Sequence, residues 1–141
     1  MFKKLFKKKE KKEQNNKSIL IAALLIHAAK IDLHYTDVEK EIIKKAIMNL
    51  DNLSSKEAEE ILQKSEEKEK ESNQIIEFTR EIKKYPMEFR LKIIEIIWKI
   101  VYSDGTKGVY ESNLVRRICG LLYVSDKESG IIKIKVQNSI S

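Results

Sequence analysis

Asp32-Leu-His-Tyr-Thr-Asp-Val-Glu39 and Asp104-Gly-Thr-Lys-Gly-Val-Tyr-Glu111 occur in one chain at a sequence offset of 72, each an Asp followed seven residues later by a Glu. Working outward from them, the flanks correspond as well. Upstream, Leu24 and Leu25 fall over Ile96 and Ile97; downstream, Ile42, Ile43, Ala46 and Leu50 fall over Leu114, Val115, Ile118 and Leu122. After a one-residue gap placed beyond Leu50 and Leu122, Leu53-Ser54-Ser55-Lys56-Glu57 meets Val124-Ser125-Asp126-Lys127-Glu128. Self-similarity of this length is the mark of one architectural unit used twice.

Each unit reads as a helix, a short acidic loop, a second helix, and a third helix opened by a capping box. Ser54 with Glu57, and Ser125 with Glu128, have the Ser-x-x-Glu spacing in which hydroxyl and carboxylate satisfy two orphan N–H groups reciprocally. Thr36 with Glu39 offers the same arrangement, whereas Gly108 stands where Thr36 would recur. Gly105 and Gly108 permit positive φ where the chain reverses. Between the units, Lys64–Asn73 is almost wholly polar and reads as a solvated helix end or link. A helix near Gln74–Tyr85 is expected to bury Ile75, Ile76, Phe78, Thr79 and Ile82. Pro86 suits the start of the next helix, where its missing N–H costs nothing. There Phe89, Ile93, Ile96, Ile97 and Ile100 form an apolar stripe, and Lys92, Glu95 and Lys99 face water. In Ser125–Asn138 the β-branched Ile131, Ile132, Ile134 and Val136 disfavour a helix and the capping box favours one.

Composition agrees with a helical body. Hydrophobic residues make up 42% of the chain and charged residues 35%, with four Gly and one Pro. That is too apolar for a disordered chain and too poor in turn formers for a many-stranded sandwich. The expectation is an all-α, single-domain bundle of about seven helices with an internal pseudo-repeat.

The net charge of +6 is a property of one end. Residues 1–17 hold eight Lys and two Glu, and the rest of the chain carries twenty charges of each sign. The chain therefore divides into a basic tail, 1–17, amphipathic or disordered, and a helical domain, 18–141. Phe2, Leu5 and Phe6 share one face of a helix among Lys3, Lys4, Lys7, Lys8 and Lys9, a pattern suited to contact with an anionic membrane surface. Nucleic acid is disfavoured, because the tail has no Arg and the body no net field to steer a polyanion. Ile19–Ala29 is about half the roughly 20 residues that a spanning helix needs, and its counterpart in the second unit argues against a cleaved signal. It reads as a central helix, apolar nearly all round because buried nearly all round. The lone Cys119 sits in an apolar helical run and reads as a buried, inert thiol.

These residues resemble the TerB-like family, which includes tellurite-resistance TerB proteins and the N-terminal domain of DjlA-type co-chaperones. The family pattern has Ala-Asp-Gly before the loop, Glu at the start of the next helix and a short Leu-x-Leu-Ser step. The second unit keeps Asp104-Gly105, Glu111 and Val124-Ser125; the first keeps Asp32, Glu39 and Leu53-Ser54, with Leu33 in place of glycine. The resemblance spans roughly residues 18–138. It implies a compact bundle of about seven helices with no established enzymatic activity, and a link to stress responses and to protein assemblies at or near the membrane.

Two roles compete for Asp32, Glu39, Asp104 and Glu111. As structural groups, each Asp would organise its loop and each Glu would sit at a helix N-terminus, favoured by about 0.3–1 kcal/mol. As a functional group, the two loops would converge with Asp37 on a divalent cation such as calcium, which takes about six to eight oxygens. His34, near Asp32 and Asp37, falls short of the three or four ligands zinc takes. His27 reads as a hydrogen-bonded core residue, and Trp98 as core packing. No nucleophile, base and orienter assemble from two His, one Cys and scattered Ser, and neither a phosphate loop nor a dinucleotide fingerprint occurs. The expectation is a cytoplasmic, non-enzymatic interaction module, peripheral on the inner membrane, docking protein partners through the acidic loops and taking no small-molecule substrate or organic cofactor. The alternative is a metal-ion-binding stress protein using the same loops.

Overall fold

The computed structural model describes the backbone of residues 2–31, 35–72, 75–103 and 109–140, and the side chains of 15–30, 35–72, 75–103 and 113–139. Among the described residues there are seven helices and no strand: α1 (Phe2–Ile31), α2 (Asp37–Asp51), α3 (Ser55–Glu71), α4 (Ile76–Ile82), α5 (Met87–Val101), α6 (Val109–Leu121) and α7 (Asp126–Ile140). The protein is an all-α bundle.

α1 is its axis. From Ile21 to Ile26 every residue is fully buried, and Ser18, Ala28 and Ala29 are buried with them. A helix apolar on all sides needs neighbours on all sides, and α1 packs against α2, α3, α4 and α5. Each large aliphatic so buried contributes about 1.5–3 kcal/mol of transfer free energy. The helix begins at Phe2, so the change of composition at Lys17/Ser18 falls inside one unbroken helix. No helix among the described residues is long and apolar enough to cross a membrane.

In the second unit the counterpart of α1 is α4 plus α5. At an offset of 72, Pro86 falls on Gln14, through which α1 passes without interruption. The proline has no N–H for a carbonyl one turn back, and its ring would strike that carbonyl. The chain therefore turns at Lys83–Tyr85 and starts α5 afresh. The buried side of α4 is Phe78, Thr79 and Ile82 with Ile75 preceding it; Ile76, expected among them, is 37% exposed. α5 buries Ile93, Ile96, Ile97, Ile100 and Trp98 as expected, with Phe89 only partly buried, and it also buries Ile94 and Val101, because α7 covers its far side.

The duplication extends to single hydrogen bonds. Asn52 ends α2 and Tyr123 follows α6, both at positive φ, 53° and 57°. The next N–H in each case reaches back five residues, Leu53 to Met48 at 3.1 Å and Val124 to Cys119 at 2.8 Å. This closure satisfies helix-end carbonyls that would otherwise be orphaned. It relates the two helix ends at an offset of 71, while the buried Ile21, Ala22, Leu24 and Leu25 match the buried Ile93, Ile94, Ile96 and Ile97 at 72. The missing residue therefore lies upstream of Met48 and Cys119, and not beyond Leu50 as the sequence alone suggests. Carried back along the unbroken helices, the register aligns Tyr110, and not Glu111, with Glu39.

The third helices differ in how they are capped. Ser54 and Glu57 form the reciprocal box at α3, side chain to backbone in both directions at 3.1 Å. At α7 the Ser125 hydroxyl accepts from the Glu128 N–H at 3.1 Å and donates to the Glu128 carboxylate at 3.0 Å. α7 is helical despite its β-branched run. Val136 packs into the core, and the Trp98 indole N–H donates to the Ser129 hydroxyl at 3.1 Å across a buried contact. Packing of the face outweighs a propensity cost of a few tenths of a kcal/mol per residue. Ile131 and Ile134 remain exposed.

Candidate functional site

The polar chemistry of the body is concentrated where α1, α2 and α3 meet. α3 is the element that supplies it. Its sequence places Ala58, Ile61, Leu62 and Ser65 on the core side, and the same side continues into Glu69, which is buried. Lys64–Asn73 is thus helix as far as Glu71, and part of it is inside the fold.

Glu69 receives two partners from α1. Lys30 Nζ donates to Oε2 at 2.6 Å, and His27 Nδ1 lies 3.3 Å from Oε1. A turn earlier, Glu66 accepts from the Tyr35 hydroxyl at 3.0 Å and lies 3.7 Å from Lys40 Nζ, whose ammonium also sits 5.0 Å from the Tyr35 ring centroid. Earlier still, Glu59 pairs with Lys44 at 3.3 Å. Lys30 closes the last turn of α1, where a cation also meets the negative end of the helix dipole. Burial, and then the hydrogen bond to Glu66, push the Tyr35 hydroxyl well above its ordinary range. Lys30 and Tyr35 therefore fasten both ends of the segment between α1 and α2 to α3, through acids one turn apart.

At the corresponding place in the second unit the described residues include a neutral pair. Gln137, which falls on Glu66 in the register of the helix ends, donates from its amide to the Tyr102 hydroxyl at 2.7 Å. Tyr102 stacks on Trp98 with ring centroids 5.8 Å apart. Among the described residues the acid ladder belongs to the first unit alone.

Of the residues singled out from sequence, Glu39 is described. It is buried in the first turn of α2; its N–H donates to Thr36 Oγ1 at 3.2 Å, and the Thr36 hydroxyl lies 3.4 Å from its carboxylate. Asp32, His34 and Asp104 lie outside the described residues, as does the side chain of Glu111. Among the described residues no group of three or more His, Cys, Asp or Glu is arranged to hold a metal ion. Phe2, Lys3, Lys4, Leu5, Phe6, Lys7, Lys8 and Lys9 belong to α1, with side chains outside the described residues. His27 is partly exposed and engaged by Glu69. Cys119 is buried; burial and the nearby Asp126 raise its thiol above the ordinary range, against a hydrogen bond with Ser129 that lowers it.

Midway along α1, Lys17 is set 4.1 Å and 4.5 Å from the ring centroids of Phe89 and Tyr85, which themselves meet edge to face. One residue on, the buried Ser18 hydroxyl donates to Asp51 at the end of α2. The basic half of α1 is thereby held to the body at its root.

Sequence reasoning missed Glu66 and Glu69, which fall in the stretch read as a solvated helix end or link. Their spacing along α3 matches the face that carries Ile61 and Leu62, and that coincidence is the signal it left unused.

The described residues thus form a duplicated all-helical bundle in which an acidic α3 holds the end of α1 and Tyr35. The family model described as tellurite resistance protein TerB matches residues 18–134, and the chain belongs to that family. No curated protein and no solved structure matches it.

Proposed function

We propose that this protein is a non-enzymatic interaction module of a tellurite-resistance-like stress response, docking protein partners at the cytoplasmic face of the inner membrane, with the first half of α1 as its membrane contact. The observation that supports the reading is the continuity of α1 from Phe2 to Ile31. A helix over residues 2–9 brings Phe2, Leu5 and Phe6 to one side with lysines around them. Each Lys near an anionic leaflet is worth about 1 kcal/mol, falling off within a Debye length. Three apolar side chains and seven or eight such charges give reversible attachment, not insertion. The anchorage of Lys17 and Ser18 joins that helix to the body without a flexible link.

Support for a non-enzymatic role comes from where the reactive groups are spent. His27 faces Glu69, Cys119 is buried, Ser18 bonds Asp51, Ser65 bonds the Ile61 carbonyl and Ser129 accepts from Trp98.

Flotation with vesicles of mixed anionic and zwitterionic lipid tests the membrane contact. The full chain is expected to float and to be released by salt, and a chain lacking residues 2–14 to stay below. The truncation stops short of Lys17, whose contacts belong to the body. Equal flotation of both chains removes the tail from the reading.

A further inference from the structure

Between α2 and α5 the body carries an open groove of about 480 Å³. Its floor is apolar: Ile42, Ala46 and Leu50 from α2, and Ile96 from α5. Its walls are cationic, Lys45 on the α2 side, Lys92 and Lys99 on the α5 side. These three lysines are exposed, and none is in an ion pair among the described residues, although residues 18–141 sum to zero charge. Among the described residues the acid on the wall is Glu95, which is taken by Lys135 of α7 at 3.1 Å. A second hollow shares Ile42 and Lys45 and extends the trough to Val38, which is 61% exposed beside Asp37 and Glu41.

We propose that this groove binds an acidic amphipathic helix of a partner protein. The inference goes beyond the membrane contact proposed for α1 and does not depend on it. Charge selects the occupant: three uncompensated lysines on both walls complement a helix edged with carboxylates and repel the lysine-rich N-terminal half of α1 in another copy of this chain. Shape selects it against a bilayer. The trough runs from Val38 to Leu50 on α2, about 18 Å of helix, matched by about 10 Å between Lys92 and Lys99 on α5. Two ridges with an apolar floor between them accept a third helix of about three turns, its apolar residues spaced i, i+3, i+4 and i+7, whereas a flat surface reaches the Lys tips and leaves the recessed Ile96 untouched. The charge pattern also orients the partner. Two acids seven residues apart meet Lys92 and Lys99, another meets Lys45, and the end nearest Asp37 and Glu41 is neutral or basic.

The test uses the full-length ¹⁵N-labelled protein and a synthetic peptide of about 15 residues, with leucines at the helix-in-groove spacing and glutamates along both edges. Saturable amide shifts at Ile42, Ala46 and Ile96 are expected. Affinity should fall at least about tenfold in Lys92→Glu/Lys99→Glu and be largely kept in Lys92→Arg/Lys99→Arg. Both positions are solvent-exposed, and thermal unfolding checks that each variant folds. A peptide of the same composition with its leucines scrambled should bind far more weakly. Absence of saturable shifts overturns the proposal, as does equal binding of the scrambled peptide. If anionic vesicles without peptide shift these same amides and displace it, the groove is a lipid surface and the proposal fails in favour of that.

Discussion

Asn52 and Tyr123 occupy the same left-handed position at the ends of α2 and α6, at φ 53° and 57°. Both are followed by an apolar residue, Leu53 or Val124, whose N–H closes the helix end onto a carbonyl five residues back. Asn tolerates this conformation; Tyr does so at a cost, because its Cβ crowds the neighbouring carbonyl. Tyr123 is 66% exposed and returns little packing. Tyr123→Gly should therefore stabilise the protein by about 0.5–1 kcal/mol in urea denaturation, whereas Asn52→Gly should change it by less. A loss of stability in Tyr123→Gly would show that contact with Lys83, 5.7 Å from its ring centroid, outweighs the backbone strain.

Glu69 is the buried acid on which Lys30 and His27 of α1 converge. Glu69→Ala leaves Lys30 and His27 without their acceptor in a partly desolvated place. The loss should be about 2–3 kcal/mol, larger than the roughly 0–1 kcal/mol of an exposed pair. Glu81→Ala, at the exposed Lys84 pair, is the control. Similar small effects at both sites would place Glu69 among ordinary surface charges.

Tyr35 gives the fold an alkaline limit. Its folded-state pKa is raised, first by burial and then by Glu66. Folding therefore favours the neutral phenol. The stabilisation is fully present below the unfolded pKa of about 10, and it declines as pH rises above that value towards the folded pKa. Tyr35→Phe should lose about 1 kcal/mol at neutral pH, from the missing hydrogen bond to Glu66, and show a shallower fall above pH of about 10. Unchanged alkaline slopes in matched urea titrations would contradict this.

Cys119 should behave as packing, not as a nucleophile. The thiol is buried, and burial with Asp126 holds it protonated at neutral pH. Reaction with an aromatic disulfide reagent should be slow in the folded protein and should accelerate with urea along the unfolding curve. Stoichiometric labelling without denaturant, at the rate of a free thiol, would mean that α6 opens locally at far lower cost than the core.

The groove between α2 and α5 and the acid ladder on α3 were both written in the sequence as helical spacings without a partner. Lys92, Glu95 and Lys99 were legible as a solvated stripe, but not that Ile42, Ala46 and Leu50 lie across from them. Glu66 and Glu69 were legible as charge on a helix, but not that the end of α1 and the start of α2 bring Lys30, His27 and Tyr35 to them. The alignment of the two units was legible to within one residue. Its misplaced gap came from a stripe that fits a helix almost equally well at either register, and the left-handed ends at Asn52 and Tyr123 resolve it.

Local physics was sufficient for the helices themselves. Apolar periodicity, the Ser-x-x-Glu boxes and Pro86 act within a few residues of one another, so the chain carries them unaided, along with its duplication and its charge imbalance. Burial of a carboxylate, the pairing of ladders across three helices, and a groove between two others depend on groups on different helices, far apart along the chain. Those contacts exist only once α1 has been enclosed, because enclosure is what removes water from Glu69 and leaves Lys45, Lys92 and Lys99 facing one another across an apolar floor.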